Sequence, residues 1–230
     1  MSSDRSNAGP GNALPDWRSV LAVVAHPDDE SFGLGALLDA FVRAGTQAEV
    51  LCLTHGEAST VHGVSGELRS LRAAELERAA RILGIATATM GDHPDGSLGA
   101  APAAVLDDVL AQAGRSTPDG LLVFDPSGVT GHPDHVAATA AALAAAERLD
   151  LPVLAWTLPQ HVTTALNEGT GASFVGHLPA DIDLTVTVDR ATQRIACLEH
   201  ASQAIPTSIL WRRLDLLGDL EHLRWIRRAH

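Results

Sequence analysis

Apolar and polar positions follow two alternating periods along the first 160 residues. Apolar runs of strand length occur at 20–26, 48–55, 86–92, 120–126 and 151–159. Between them, residues 33–45, 67–85, 101–113 and 134–149 have the three-to-four-residue spacing of amphipathic helices. Strands that alternate with helices of about 10–15 residues indicate right-handed βαβ units. We therefore predict an α/β protein with a Rossmann-like, mostly parallel sheet and helices on both faces.

The last third of the chain has a different pattern. Residues 184–189, "LTVTVD", alternate with a period of two, which predicts a half-exposed and antiparallel strand. Residues 190–203 and 209–229 have helical spacing, and the second stretch becomes basic towards its end, as the helix dipole favours. The polar residues 1–17 are predicted to be a flexible tail, and residues 18–230 a single domain.

Composition places the chain among soluble globular proteins. It has 230 residues, of which 46% are hydrophobic and 19% charged, and it contains no run of 18 apolar residues and no signal-peptide pattern. Cys52 and Cys197 lie in apolar settings, so no disulfide framework is expected and the cytoplasm is the expected location. A net charge of −12 argues against nucleic-acid binding. The sequence leaves open whether the chain forms a homo-oligomer.

The tripeptide His-Pro-Asp occurs three times, beginning at residues 26, 93 and 132. The unequal separations exclude a repeat protein. Each copy follows a strand-like run, so the predicted sheet brings all three to its carboxyl edge, where open α/β sheets bind ligands. This placement predicts one site built from several loops at the C-terminal ends of the strands.

Two of the copies carry a second group that can bind a metal. "AHPDDE" contains His26 and Asp29, and "GHPDH" contains His132 and His135. Imidazole and carboxylate are common zinc ligands, and two histidines with one carboxylate leave a position open for water. His-Pro-Asp can also be turn chemistry, which we favour for a single copy but not for these two together. The middle copy is interpreted as a loop in which Asp95 is the functional candidate.

These paired motifs resemble those of the zinc-dependent deacetylases of the LmbE-like, or PIG-L, family. That family includes N-acetylglucosaminyl-phosphatidylinositol deacetylases and the bacterial enzymes that deacetylate GlcNAc-inositol or GlcNAc-malate for mycothiol and bacillithiol. Further stretches resemble its motifs: "RAAELERAARILG" (72–84), "PDGSL" (94–98) and the weaker "HASQ" (200–203). The resemblance covers roughly residues 20–205.

The resemblance implies a role for each matching residue. His26, Asp29 and His135 would hold Zn²⁺, and Asp28 would be the general base. Bound zinc lowers the pKa of water from about 16 to about 7, so a water activated in this way could attack an amide carbonyl.

The second motif would supply the remaining catalytic groups. The resemblance implies that His132 faces the developing oxyanion and that Asp134 orients or charge-stabilises His132. We expect His132 to be protonated, with Asp134 raising its pKa. Either Asp28 or His132 could protonate the leaving amine.

Three residues are candidates for substrate binding. Arg72 matches the arginine that the family uses for its substrate, although a solvated helical arginine is an equal alternative. Glu57, in "THGEAS", follows the second strand and could reach the sugar, and Asp95 lies in the loop that resembles the family's Pro-Asp-Gly loop.

The sequence therefore predicts a zinc-dependent hydrolase that removes an N-acetyl group from a GlcNAc-type sugar or glycoconjugate. One alternative is a zinc amidase for another amide, such as a thiol conjugate or a natural-product glycoside. Another is a non-catalytic relative that binds metal or sugar. The presence of both Asp28 and His132 argues against the second alternative, because zinc binding alone requires neither. No membrane insertion is expected.

Overall fold

The computed structural model describes residues 11–60 and 67–229. Its strands are β1 (Ser19–Val24), β2 (Gln47–Thr54), β3 (Thr87–His93), β4 (Gly120–Phe124), β5 (Val153–Pro159), β6 (Gly176–His177), β7 (Leu184–Thr187) and β8 (Leu220–Arg227). Its helices are α1 (Asp29–Phe32), α2 (Gly35–Arg43), α3 (Leu68–Leu83), α4 (Pro102–Ser116), α5 (Gly128–Gly131), α6 (Pro133–Leu149), α7 (Gln160–Thr170), α8 (Ala191–Glu199) and α9 (Ile209–Leu217).

The strands form one mixed sheet in the order β3-β2-β1-β4-β5-β8-β7, with β6 paired to β5. The five strands from β3 to β5 run parallel, whereas β8 is antiparallel to both β5 and β7. From β1 the strand order continues through β2 and β3 on one side of the sheet and through β4 and β5 on the other. That switch point opens a crevice beyond the carboxyl ends of β1 and β4.

Alternate side chains of β1 pack on the two faces of the sheet. Val20, Ala22 and Val24 share a buried cluster with α2 and α3, while Leu21 and Val23 share another with α4 and α6. Burying an aliphatic or aromatic side chain of this kind stabilises a fold by about 1.5–3 kcal/mol. The predicted fold class, a mostly parallel sheet with helices on both faces, is confirmed.

The C-terminal segment differs from the predicted helix over 209–229. Helix α9 ends at Leu217, Gly218 has φ +59°, and Leu220–Arg227 form a strand between β5 and β7. Leucines at 217, 220 and 223 imitate helical spacing in the sequence. The antiparallel pairing with β5 satisfies backbone groups that an exposed sheet edge would leave unpaired, so tertiary context overrides the local pattern.

Two residues of the tail predicted over residues 1–17 contact the folded chain. Gly11 pairs with Leu184 on β7, and the ring of Trp17 stacks on Phe41 with centroids 5.8 Å apart. Residues 11–17 are thus attached to the sheet, while residues 1–10 of the predicted tail lie outside the described residues. The single domain over 18–230 stays a prediction.

Candidate active site

Three side chains converge where β1 and β4 end. His26 Nδ1 lies 3.3 Å from His135 Nε2 and 3.6 Å from Asp29 Oδ2, and His135 Nε2 lies 3.1 Å from Asp29 Oδ1. Asp29 begins α1 directly after the β1 loop, and His135 lies in the first turn of α6. The structure therefore brings the three predicted metal ligands together from two loops that are 109 residues apart in sequence.

Backbone contacts fix the orientation of Asp29. Its Oδ2 accepts hydrogen bonds from the backbone N–H groups of Ala25 (3.2 Å) and His26 (2.9 Å). Burial alone would raise the pKa of Asp29, but His135 and His26 hold it well below its ordinary value. Asp29 is therefore ionised, with Oδ1 directed towards His135.

The opposite nitrogen of His26 faces two more carboxylates. Its Nε2 lies 3.1 Å from Asp95 Oδ1 and 3.4 Å from Asp134 Oδ2. Burial lowers the pKa of His26, but hydrogen bonds with Asp134, Asp29 and Asp95 raise it to about 12. So many carboxylates around one imidazole create an excess of negative charge, which is the environment that a divalent cation would neutralise.

The donor set fits a metal ion. Single ligand atoms of His26, His132 and His135 all lie within 4.8 Å of one another, and so do those of His26, Asp95 and Asp134. Mixed imidazole and carboxylate donors suit zinc and related divalent ions. Asp95 and Asp134, on the far side of the His26 ring, have the position of carboxylates that orient a ligating histidine.

Asp28 lies beside the predicted ligands in an unusual backbone conformation. Its φ is +133°, a left-handed value that is costly for a residue with a side chain. Its Oδ2 lies 3.0 Å from Arg72 Nη2, and its backbone N–H donates to Glu30 Oε2 at 3.0 Å. Burial raises the pKa of Asp28 to about 6, against the lowering effect of Arg72. A carboxylate with such a pKa can both accept and return a proton near neutral pH.

Arg72 lines the cavity from a buried position, which excludes the alternative of a solvated arginine, and its contact with substrate stays a prediction. It is only 3% exposed, and it donates to the carbonyls of Gly56 and Pro27 in addition to its ion pair with Asp28. The guanidinium is therefore held by the carboxylate of Asp28 and by the two loops that contain Pro27 and Gly56. Helical spacing alone could not distinguish this buried position from a solvated one.

Glu57 and Asp95 are placed together, but only Asp95 lines the cavity. Glu57 Oε1 accepts from the backbone N–H of Asp95 at 3.3 Å, and Asp95 Oδ2 accepts from the N–H of Ala58 at 2.8 Å. Among the described residues that line the cavity, Glu57 is absent. Glu57 therefore supports the Asp95 loop, and its contact with the sugar stays a prediction.

The predicted relation between Asp134 and His132 also differs. The Asp134 carboxylate accepts from the N–H groups of Gly96 (2.7 Å) and Leu98 (3.1 Å) and faces His26, so it does not bind the His132 ring. Burial, together with His135 and His26, lowers the pKa of His132 despite the opposite effect of Asp134. The effect of Asp134 therefore has the expected sign, but the net lowering of the pKa does not favour the protonated His132 that we expected.

His132 nevertheless retains a donor for the site. Its Nδ1 accepts from the backbone N–H of Asp134 at 3.2 Å, where His132 caps the N-terminus of α6. A neutral imidazole that accepts at Nδ1 carries its proton on Nε2. His132 lines the cavity, and its ring centroid lies 4.7 Å from that of His135. It can therefore donate a hydrogen bond without being a cation.

A buried pair behind Asp28 was missed as a functional feature by sequence reasoning. Glu30 and His200 both have fully buried side chains, with His200 Nε2 2.7 Å from Glu30 Oε1. Burial would lower the pKa of His200, but Glu30 raises it. The other oxygen of Glu30 holds the Asp28 N–H. The available signals were the final Glu of "AHPDDE" and the late His of "HASQ".

The last two residues of "HASQ" bind side chains on two other segments of the site. The N–H and hydroxyl of Ser202 donate to Glu75 on α3 at 2.9 and 2.6 Å. Gln203 Oε1 accepts from the hydroxyl of Ser59 at 2.9 Å. This segment thus connects α3, which carries Arg72, to the loop after β2.

We predict that His200→Ala lowers the free energy of unfolding by about 3 kcal/mol, because it leaves the Glu30 carboxylate buried without its partner. Combining it with Glu30→Gln is expected to recover about 1–3 kcal/mol relative to additivity in a double-mutant cycle of urea unfolding. His161→Ala, at an exposed position on α7, is the control and should change stability by less than about 0.5 kcal/mol. Additive effects of the two substitutions would show that the pair is not coupled.

Seven of the nine predicted site residues, all except Glu57 and Asp134, line one cavity of about 440 Å³. Its further polar lining includes Ser59 and Gln203. Its apolar lining consists of Phe32, Phe124, Val129, Trp156, Phe174 and Ile209. A volume of this size is ordinary for a site that binds a small molecule.

The fold and the site define a class of protein: an α/β protein with a mostly parallel sheet and a His/Asp cluster at the carboxyl ends of its strands. The family model described as "PIG-L: GlcNAc-PI de-N-acetylase" matches residues 21–146. A 1D-myo-inositol 2-acetamido-2-deoxy-alpha-D-glucopyranoside deacetylase from Nocardia farcinica is 31% identical, with 92% of this chain and 78% of that protein covered. The chain belongs to the PIG-L family of de-N-acetylases.

Two solved structures share the fold. The deacetylase of the antimicrobial A40926 pseudoaglycone has a TM-score of 0.73 at 23% identity, covering 94% of this chain and 99% of that one. The zinc-inhibited form of a teicoplanin deacetylase has a TM-score of 0.69 at 21% identity, covering 90% and 97%.

The family membership confirms the resemblance inferred from the motifs. It also confirms the prediction of an enzyme, a hydrolase of carbon–nitrogen bonds other than peptide bonds. No helix within residues 11–60 and 67–229 has the length and apolar character needed to cross a membrane.

Proposed function

We propose that this protein is a zinc-dependent hydrolase that removes the N-acetyl group from a GlcNAc-type sugar or glycoconjugate. The observation that carries the proposal is the convergence of His26, Asp29 and His135 at 3.1–3.6 Å from one another, with Asp28 beside them. Relatives that cover most of the chain are named as deacetylases of a GlcNAc-inositol, which supports the substrate class.

His26, Asp29 and His135 would hold the metal ion. When bound there, zinc would supply Lewis-acid polarisation of the amide carbonyl and a lowered pKa for the attacking water. Asp95 and Asp134 would orient His26 through its Nε2. His132 stays outside this proposed ligand set because its Nδ1 is occupied by the N–H of Asp134 and its Nε2 proton is free for the substrate.

Asp28 would move the proton. Its carboxylate accepts a proton from the attacking water and returns it to the nitrogen of the leaving amine. A pKa of about 6 suits both transfers, and the Arg72 contact at 3.0 Å keeps the carboxylate in one orientation. Because the pKa of His132 is lowered, Asp28 is the better candidate for protonating the amine.

His132 would stabilise the transition state as a neutral donor. Its Nε2–H would donate to the carbonyl oxygen as negative charge develops there. Removing one such donor from other hydrolases costs about 3–4 kcal/mol in the activation barrier. This role requires that His132 keep its Nδ1 contact with the N–H of Asp134, which sets the tautomer.

The test is release of amine and acetate from a panel of N-acetylated sugars by the zinc-loaded protein. We expect turnover of GlcNAc glycosides, including GlcNAc-inositol, and loss of turnover after chelation of the metal. Cleavage of other amides with no cleavage of any N-acetyl sugar would favour the amidase alternative. Zinc binding without cleavage of any amide would favour a non-catalytic protein.

A further inference from the structure

Arg213 is a buried cation in the lining of the active-site cavity. It is 9% exposed, lies on α9 and lines the cavity together with the predicted catalytic groups. Its contacts within the described chain are a hydrogen bond from Nη2 to the carbonyl of Phe32 and stacking on the Trp156 ring at 5.0 Å. Its Nε is buried and has no hydrogen-bond partner.

No described carboxylate forms a direct ion pair with Arg213, although Glu221 and Asp29 act on its charge at longer range. Glu221 is shared with a second cation, because its oxygens accept from Arg190 at 2.5 Å and from Trp156 Nε1 at 2.7 Å. Buried charges in proteins are normally paired, because an unpaired one pays a large desolvation cost. An unpaired guanidinium facing a cavity is therefore suited to an anionic ligand group.

The position of Arg213 indicates which part of a substrate would carry that anion. Nε2 of His26 faces Asp95, whereas Nδ1 faces His135. The Phe124 ring packs edge to face with His135 at 4.9 Å, so an apolar lining residue contacts His135 whereas the polar lining residue Asp95 contacts His26. Sugar hydroxyls need polar partners such as Asp95, and the acyl group of the amide is left to the apolar lining.

Two aromatic rings, those of Phe124 and Trp156, connect the predicted metal ligand His135 to Arg213. Successive contacts of 4.9, 5.1 and 5.0 Å connect His135 to Phe124, Phe124 to Trp156 and Trp156 to Arg213. In an acetyl group the methyl carbon is bonded directly to the carbonyl carbon, and the group carries no charge that Arg213 could bind. A longer acyl chain could lie along the apolar lining and place a terminal group near the guanidinium.

We propose that Arg213 is a specificity determinant that binds the terminal carboxylate of a dicarboxylic N-acyl group on the substrate. This inference rests on the proposed amide hydrolysis and extends its substrates from N-acetyl to dicarboxylic N-acyl groups. Water adds to the amide carbonyl carbon, the C–N bond breaks, the amine takes a proton, and the products are a dicarboxylate and a free amine. Arg213 takes no part in the proton transfers and acts through binding.

The test compares matched pairs of N-acyl glucosamines with equal numbers of acyl carbons. Succinyl, glutaryl and adipoyl amides are compared with butanoyl, pentanoyl and hexanoyl amides. We expect wild type to prefer the carboxylate member of at least one pair by about tenfold or more in kcat/KM, as a charge-assisted hydrogen bond provides. In Arg213→Met this preference should fall to about one.

Arg212→Met is the matched control. Arg212 is the exposed neighbour of Arg213 on the same helix and donates to the carbonyl of Ala165. This variant should keep the wild-type preference. Cleavage of the neutral amides with no preference for a carboxylate at any length would overturn the subsite and leave the proposed function intact.

A binding measurement covers the case in which no amide is cleaved. Titration calorimetry would compare N-glutaryl and N-pentanoyl glucosamine on wild type and on Arg213→Met. Tighter binding of the glutaryl compound to wild type alone, by about tenfold, would support the subsite even if the proposed hydrolysis fails. Equal binding of both compounds to wild type would overturn it.

Discussion

Asp28→Asn is expected to reduce kcat for amine release by about 10²–10⁴-fold, the contribution typical of a positioned acid–base group. Asparagine keeps the size of the side chain and the backbone N–H that donates to Glu30 Oε2. It cannot accept a proton from water or return one to the amine. Steady-state kinetics on a GlcNAc glycoside would measure the loss, with KM changing much less than kcat because the interaction operates in the transition state.

The metal content of the same variant separates the base from a ligand. Asp28 is ion-paired with Arg72 at 3.0 Å, whereas Asp29 faces both histidines. We therefore expect Asp28→Asn to bind zinc as wild type does. Asp92→Asn, at a side chain that is 85% exposed, is the control and should keep both zinc and turnover. Full turnover by Asp28→Asn would remove the base assignment, and loss of its zinc would make Asp28 a ligand.

The second large effect is expected for His135→Ala, which removes one of the three proposed metal ligands. Substituting a residue that only supports a ligand already costs 10–100-fold in metal affinity in other proteins, so the loss here should be at least about 100-fold. Turnover should fall in parallel at limiting zinc. Equilibrium dialysis with metal analysis would measure the affinity directly.

The middle His-Pro-Asp copy provides the control for His135. His93 has the same sequence neighbours, Pro and Asp, but its Nε2 lies 2.8 Å from Asp108, away from the convergent ligands. His93→Ala should therefore retain wild-type zinc affinity. Stoichiometric zinc of unchanged affinity in His135→Ala would exclude His135 as a ligand, and equal losses in both variants would point to a general effect on folding.

Periodicity and motif spacing were sufficient to predict how the site is assembled. The apolar runs that end before His26 and before the "GHPDH" loop became β1 and β4, which are neighbours in the sheet. Parallel strands with right-handed crossovers leave little freedom in where their carboxyl ends lie. The convergence of His26, Asp29 and His135 therefore follows from local signals and topology.

Side-chain partners could not be predicted in the same way. The sequence left Arg72 open between a substrate-binding and a solvated arginine, yet α8 and the "HASQ" segment cover its helix and leave it 3% exposed beside Asp28. Asp134 follows His132 by two residues, yet its carboxylate turns towards Gly96 and His26. Both outcomes depend on long-range packing, which a local pattern does not encode.

The C-terminal segment shows the same limit at the level of secondary structure. Residues 220–227 have leucines at helical spacing, but β5 offers an edge that only a strand can pair. The single local signal was Gly218, at which α9 ends with φ +59°. Arg190 reinforces the change of direction by donating to the carbonyls of Gly218 and Leu220.

The central claim is tested most directly by titrating the metal-depleted protein with Zn²⁺ and measuring amine release from a GlcNAc glycoside after each addition. Parallel titrations with other divalent ions show whether zinc itself is the activating metal. We predict that release rises linearly to one equivalent of zinc per chain and then stays constant over the next equivalent. Release that is unaffected by metal removal, or that another divalent ion supports while the first equivalent of zinc inhibits it, would contradict the account.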